Sequence, residues 1–213
     1  MKGFDYSKLS DSKTYDFLRP VGKLVCKMLY DFEYVGLENI PEEGGFILAA
    51  NHYTALDPVY ISVPIEKRQL HFMAKKELYD NKIVAWAFTK LNGFPIVRGS
   101  RDKAALDYAI RIPKEGYVLG IFPEGTRSKT FTPGNAKSGV ALIAKEAKAP
   151  VLPVSIYNTE KMKKRTKVTI RFGKLIPYEE LGFTGEDSRD EIREVAKNIM
   201  GEINKLWEEG HCE

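Results

Sequence analysis

Short apolar runs alternate with stretches of helical spacing along most of this 213-residue chain. The runs at 32–35, 45–50, 71–74, 93–98, 117–122 and 151–156 are too short for helices and read as strands, and 167–176 reads as a strand because it alternates. Those at 45–50 and 117–122 are nearly continuous apolar segments, the pattern of strands buried on both faces. Between the runs, apolar residues recur at three- and four-residue steps over 15–30, 81–91, 101–112, 138–147 and 188–208, which predicts helices. Asp57-Pro58 marks one more helix start, with Asp57 as cap and Pro58 in the first turn. This alternation predicts an α/β fold. The expected form is a single domain with a mostly parallel or mixed sheet flanked by helices, preceded by an N-terminal amphipathic helical segment.

Composition narrows the function classes. At 43% hydrophobic and 29% charged residues, the chain is globular rather than disordered. Its net charge of +4 is too mild to name a partner, but it suits an anionic substrate or membrane surface. The two cysteines, Cys26 and Cys212, are far apart, so a disulfide framework is not expected and a reducing cytosol fits. The longest uncharged run, 44–56, falls short of the ~20 apolar residues of a spanning helix. Residues 1–12 lack an apolar signal core, so secretion is not expected. In the 15–30 helix, Phe17, Val21, Leu24, Val25 and Met28 form an apolar face, while Arg19, Lys23 and Lys27 form a basic stripe. Pro20 is expected to begin the regular helix. Such a helix either lies in a membrane interface or packs on the domain's own core with solvated lysines.

Four blocks carry chemistry. The first, Asn51-His52-Tyr53-Thr54-Ala55-Leu56-Asp57, directly follows the 45–50 run. A histidine exchanges a proton near neutral pH, and a nearby carboxylate fixes its tautomer. Within one helix, residues five apart sit roughly 140° apart and cannot face each other. They meet only if His52 lies on the strand-to-helix turn and Asp57 begins the helix. The pair is then half of a Ser-His-Asp machine whose nucleophile is the substrate's own hydroxyl. The plain alternative is a loop histidine beside a helix cap.

The second informative block is Phe122-Pro123-Glu124-Gly125-Thr126-Arg127-Ser128, at the end of another strand. Gly125 permits close backbone approach, and the planar fork of Arg127 suits a phosphate. Glu124 can orient that arginine or accept a hydroxyl, unless the block is a solvated turn. Gly93-Phe94-Pro95-Ile96-Val97-Arg98-Gly99 hands Arg98 to a loop near Arg101 and Lys103. Two arginine sites at strand ends can share one phosphate; otherwise this is an edge strand with a surface arginine. Ala149-Pro150-Val151-Leu152-Pro153-Val154-Ser155 is a strand framed by prolines, with a structural role lining a substrate pocket.

The remaining candidates carry less. His71 is expected to be structural, and His211 and Cys212 to lie outside packed structure. His52, Asp57 and Glu124 do not have metal-motif spacing, so no metal site is expected. There is no P-loop and no Gly-x-Gly-x-x-Gly pattern. The basic cluster Lys161, Lys163, Lys164, Arg165 and Lys167 is a solvated loop, or it meets lipid headgroups, an acidic carrier protein or coenzyme A phosphates. Without an RNA-binding signature, no nucleic-acid partner is expected.

Taken in order, Asn51-His52 through Asp57, Phe94-Pro95 to Arg98-Gly99, Phe122-Pro123-Glu124-Gly125-Thr126-Arg127-Ser128 and Val151-Leu152-Pro153-Val154 resemble the glycerolipid acyltransferase family, specifically its bacterial 1-acylglycerol-3-phosphate acyltransferases. The resemblance covers roughly residues 30–176. It implies His52 as general base and Asp57 as its orienting partner. It assigns Arg98, Glu124, Gly125, Thr126 and Arg127 to binding the acceptor. The implied reaction moves an acyl chain from acyl-coenzyme A or acyl carrier protein to the sn-2 hydroxyl of lysophosphatidic acid, giving phosphatidic acid with no cofactor. Glycerol-3-phosphate, another lysophospholipid or an amino-lipid are alternative acceptors, and a lipid-binding module without turnover is the rival of another class. The implied layout is a membrane-associating helical segment at 1–30 and a catalytic domain at 31–213, peripheral on the cytoplasmic face of the cell membrane. The helices at 15–30 and 81–91, with Lys75 and Lys76, supply the docking surface.

Overall fold

The structure, a computed structural model, describes residues 4–97, 102–158, 163, 165–186 and 188–212. Arg98, Arg101, Lys161 and Lys164 lie outside the described residues. The chain forms α1 (Lys13–Leu29), β1 (Asp31–Val35), β2 (Phe46–Ala50), α2 (Asp57–Ser62), β3 (Leu70–Lys75), α3 (Lys82–Lys90) and β4 (Gly93–Ile96). There follow α4 (Lys103–Lys114), β5 (Val118–Ile121), α5 (Gly139–Ala147), β6 (Val151–Tyr157), β7 (Lys167–Phe172) and α6 (Arg189–Glu208).

The strands make one seven-stranded mixed sheet, in the order β1-β7-β6-β2-β5-β3-β4. From β2 to β6 the strands are mutually parallel, whereas β7 runs antiparallel to β6 and carries β1 parallel to itself. Side chains alternate across β2: Ile47 and Ala49 join the core beneath α4, α5 and α6, while Phe46, Leu48 and Ala50 join the core beneath α1 and α2. Every residue of β2 and β5 is buried, because helices cover both faces. Each large apolar side chain so buried stabilises the fold by about 1.5–3 kcal/mol.

Several boundaries differ from the sequence expectation. β4 ends at Ile96, short of 98. α4 starts at Lys103 because the Asp102 carboxylate accepts the Ala105 amide at 3.2 Å and so caps it. β7 stops at Phe172, and Ile176 makes only an isolated bridge to Val151. The β6–β7 ladder begins at Val154, one residue after Pro153, which has no N–H to donate. Pro20 lies inside α1 rather than at its start. A proline there costs about 3 kcal/mol in an unsupported helix. Here it faces solvent, and tertiary anchors on the other side, buried Tyr15 and Cys26, hold the helix down.

Two of the three cations of the α1 stripe are engaged by the protein itself, while Lys27 is exposed. Arg19 donates to the carbonyls of Glu66 and Arg68, and Lys23 pairs with Glu66. The apolar face points the other way: Phe17 is 78% exposed, Leu24 60% and Met28 63%. The C-terminus also departs from expectation. His211 and Cys212 pack against β7, where His211 Nδ1 lies 2.9 Å from Thr169 Oγ1 and Arg171 reaches Glu209, Gly210 and Cys212. A buried arginine needs acceptors, and the tail supplies them.

Candidate active site

The site starts where β2 ends. Asn51 is fully buried and exchanges two hydrogen bonds with the Ile156 backbone, at 3.0 and 2.7 Å. Its amide thereby imitates one more strand residue beside β6, and the main chain is released into a turn. The turn closes on Asp57. That carboxylate is fully buried and accepts from the backbone amides of Tyr53 (2.6 Å) and Thr54 (2.8 Å), the Thr54 hydroxyl (2.7 Å) and His52 Nδ1 (2.8 Å). Asp57 is therefore the first residue of α2 but not its cap; Leu56 holds the cap position, and the carboxylate folds back over the preceding turn. Since a carboxylate only accepts, the shared hydrogen sits on His52 Nδ1, and Nε2 carries the lone pair.

Strand register brings the 122–128 block to His52. Ala49 of β2 pairs with Ile121 of β5, and His52 and Glu124 each lie three residues beyond that pair. The two turns therefore emerge side by side at the carboxyl ends of adjacent parallel strands, where open α/β sheets place their sites. The imidazole stacks on Phe122 with ring centroids 4.0 Å apart, and Phe122 stacks on Phe72 at 5.9 Å. Gly120 makes room for that stack, since a Cβ there would sit 2.2 Å from the Phe72 ring. The His52 backbone is held as well: its N–H donates to Glu124 Oε1 at 3.0 Å, and its C=O accepts from Ser128 N–H at 2.8 Å. Its side chain remains 12% exposed.

Glu124 is buried, and burial pushes its carboxyl above the usual carboxylate range against the opposing pull of the His52 and Gly134 amides. Gly125 has φ +69°, the left-handed region, and a Cβ there would meet the Lys137 side chain, Nζ included, at 3.0 Å. Lys137 is pinned to the same turn by its N–H to the Pro123 carbonyl at 2.8 Å. Thr126, Arg127 and Lys137 are exposed around this turn, which places two cations beside the His52 cradle. Lys137 escaped the sequence reading; the available signal was Pro133-Gly134, a turn that folds the chain back onto Pro123. Phe122 and Ser128 escaped it too, because their roles are stacking and main-chain bonding. Arg98, the expected second phosphate contact, lies outside the described residues. His71 is buried in β3 against Tyr117. Among the described residues, no group of three His, Cys, Asp or Glu side chains converges as a metal site.

A doubly wound sheet presenting a carboxylate-oriented imidazole beside a cationic turn is equipped to activate a hydroxyl on an anionic substrate, which is the working part of a group-transfer enzyme. Comparison with known proteins agrees. The family described as acyltransferase matches residues 31–157, more than half of the chain. A 1-acyl-sn-glycerol-3-phosphate acyltransferase of Streptococcus pneumoniae is 33% identical over 208 residues, covering 93% of this chain and 75% of that protein. One of Bacillus subtilis is 29% identical over 195 residues, covering 90% of this chain and 96% of its own length. The crystal structure of the 1-acyl-sn-glycerophosphate acyltransferase PlsC from Thermotoga maritima superposes with a TM-score of 0.71 at 30% identity, covering 90% of this chain and 79% of that one. The chain belongs to the acyltransferase family.

Proposed function

We propose that this protein acylates the free sn-2 hydroxyl of lysophosphatidic acid, giving phosphatidic acid, with His52 as general base. The observation that carries the reading is the 2.8 Å contact between His52 Nδ1 and Asp57 in a turn beside Arg127 and Lys137. Nε2 takes the hydroxyl proton as that oxygen attacks the thioester carbonyl. The C–S bond breaks, and the departing thiolate takes the proton back from the imidazolium. The donor is acyl-coenzyme A or acylated carrier protein, and no acyl-enzyme is required. Arg127, Thr126 and Lys137 hold the acceptor phosphate, and Gly125 keeps the turn close to it. The names of the relatives support lysophosphatidic acid as acceptor.

Peripheral attachment to the cytoplasmic face of the cell membrane belongs to the same proposal, because the acceptor is a lipid. It is supported by the exposed apolar face of α1 and by exposed Ile83 and Trp86 on α3. No helix among the described residues is long and apolar enough to cross a membrane.

Thiol release from either donor, measured with lysophosphatidic acid, glycerol-3-phosphate, another lysophospholipid and a phosphate-free lipid, tests the whole reading. Lysophosphatidic acid is expected to be preferred, and His52→Ala to lower the rate by about 10²–10⁴-fold. Equal use of the phosphate-free acceptor would remove the phosphate site. A near wild-type rate for His52→Ala would remove the base.

A further inference from the structure

The 122–128 turn grips His52 more completely than an acceptor-binding loop needs to. It takes the His52 N–H through Glu124 Oε1 at 3.0 Å and the His52 C=O through Ser128 N–H at 2.8 Å, and it covers one ring face with Phe122 at 4.0 Å. Both polar groups of the residue's backbone are thus bonded to one neighbouring turn. Glu124 is 7% exposed. Oε1 faces His52, and Oε2 lies 3.1 Å from where a Cβ on Gly134 would stand, beside the Gly134 amide. A buried carboxylate already bonded to backbone donors is a poor ligand for a phosphate, whose like charge it repels. The cations suited to that task, Arg127 and Lys137, lie on the exposed side of the turn.

We propose that Glu124 is a positioning residue that holds the His52 main chain, so that the imidazole meets the acceptor hydroxyl, and that it does not bind the acceptor. This rests on His52 being the base. The physical basis is that Asp57 fixes the ring's tautomer and rotation, whereas Glu124 and Ser128 fix where the ring's own backbone stands. A displacement near 1 Å at such a centre is worth ~10²-fold in rate. Glutamine at 124 keeps an oxygen acceptor for the His52 N–H; alanine leaves that amide without one.

Steady-state kinetics on the full chain, with lysophosphatidic acid and an acyl thioester, separate the roles. Glu124→Ala is expected to lower kcat by about 10²-fold while KM for lysophosphatidic acid stays within about threefold of wild type. Glu124→Gln is expected to recover kcat to within about tenfold of wild type, and circular dichroism establishes that each variant is folded. If Glu124→Ala does not fold, Glu124→Gln decides alone. A rise in lysophosphatidic acid KM above about tenfold, with kcat retained, in either variant would make Glu124 an acceptor ligand and overturn the proposal. His52→Ala run in parallel keeps the two ideas apart. Its full activity would remove the base, whereas an inactive His52→Ala beside a fully active Glu124→Ala would remove only the positioning role.

Discussion

Asp57 accepts four hydrogen bonds, and only one of them comes from His52. The residue therefore builds the turn as well as orienting the ring. Replacing it by asparagine points an amide N–H₂ at a ring of donors. Two losses are expected from Asp57→Asn: about 1–3 kcal/mol of stability from the donors left unpaired, and on the order of 10²–10⁴-fold in kcat from lost control of the imidazole tautomer. Thermal unfolding and acyl-transfer kinetics on the same preparation check both. A variant of unchanged Tm would mean that the backbone donors of Tyr53 and Thr54 find water instead. At this scale the sequence was legible where the residue type announces its chemistry. His52 and Asp57 were readable as a pair, and their offset demanded contact across a turn. Glu124 was not readable as a backbone acceptor, because its partner is an amide that every residue carries.

Among the elements, α1 carries a row of exposed large apolar side chains. Arg19 and Lys23 are engaged with the loop before β3, which leaves the outward face mainly apolar, with Lys27 exposed on the same helix. If that face enters a bilayer, each large side chain contributes about 1.5–3 kcal/mol. The double variant Leu24→Ser, Met28→Ser should then weaken binding to anionic vesicles by at least on the order of 10²-fold. Vesicle sedimentation measures this, and unchanged partitioning would assign docking to α3 or elsewhere. The helix itself was legible from its periodicity. Which of its charges the protein engages was not, because that depends on where the 66–68 loop lies.

At the scale of the whole molecule, an ion pair ties α5 to α6. Lys145 bonds Glu191 at 2.7 Å, the Thr184 hydroxyl and amide add further bonds, and together they hold the Glu191 carboxyl down to about 2. A depressed carboxylate stabilises the fold above its unfolded pKa of about 4.3. That contribution fades as pH falls toward 2. Glu191→Gln should accordingly lower Tm near neutrality and flatten the loss of Tm between about pH 4.5 and 2. Melting curves across that range check it, and parallel pH profiles for the two proteins would contradict the assignment.

The composition, the apolar runs and the helical spacings determined an α/β domain, its central strands and the residue types able to move a proton and bind an anion. These are local matters, since burial on both faces makes a strand continuously apolar and a helix repeats every few residues. Strand order was decided elsewhere. β2 takes β5 and β6 as neighbours although more than sixty residues intervene, and only that pairing sets Glu124 level with His52. The reversal at β7, the pairing of β1 with it and the docked C-terminal tail are also long-range choices. They follow from which apolar faces and backbone edges remain to be covered once the sheet has assembled, and that is a property of the assembled sheet rather than of any one segment.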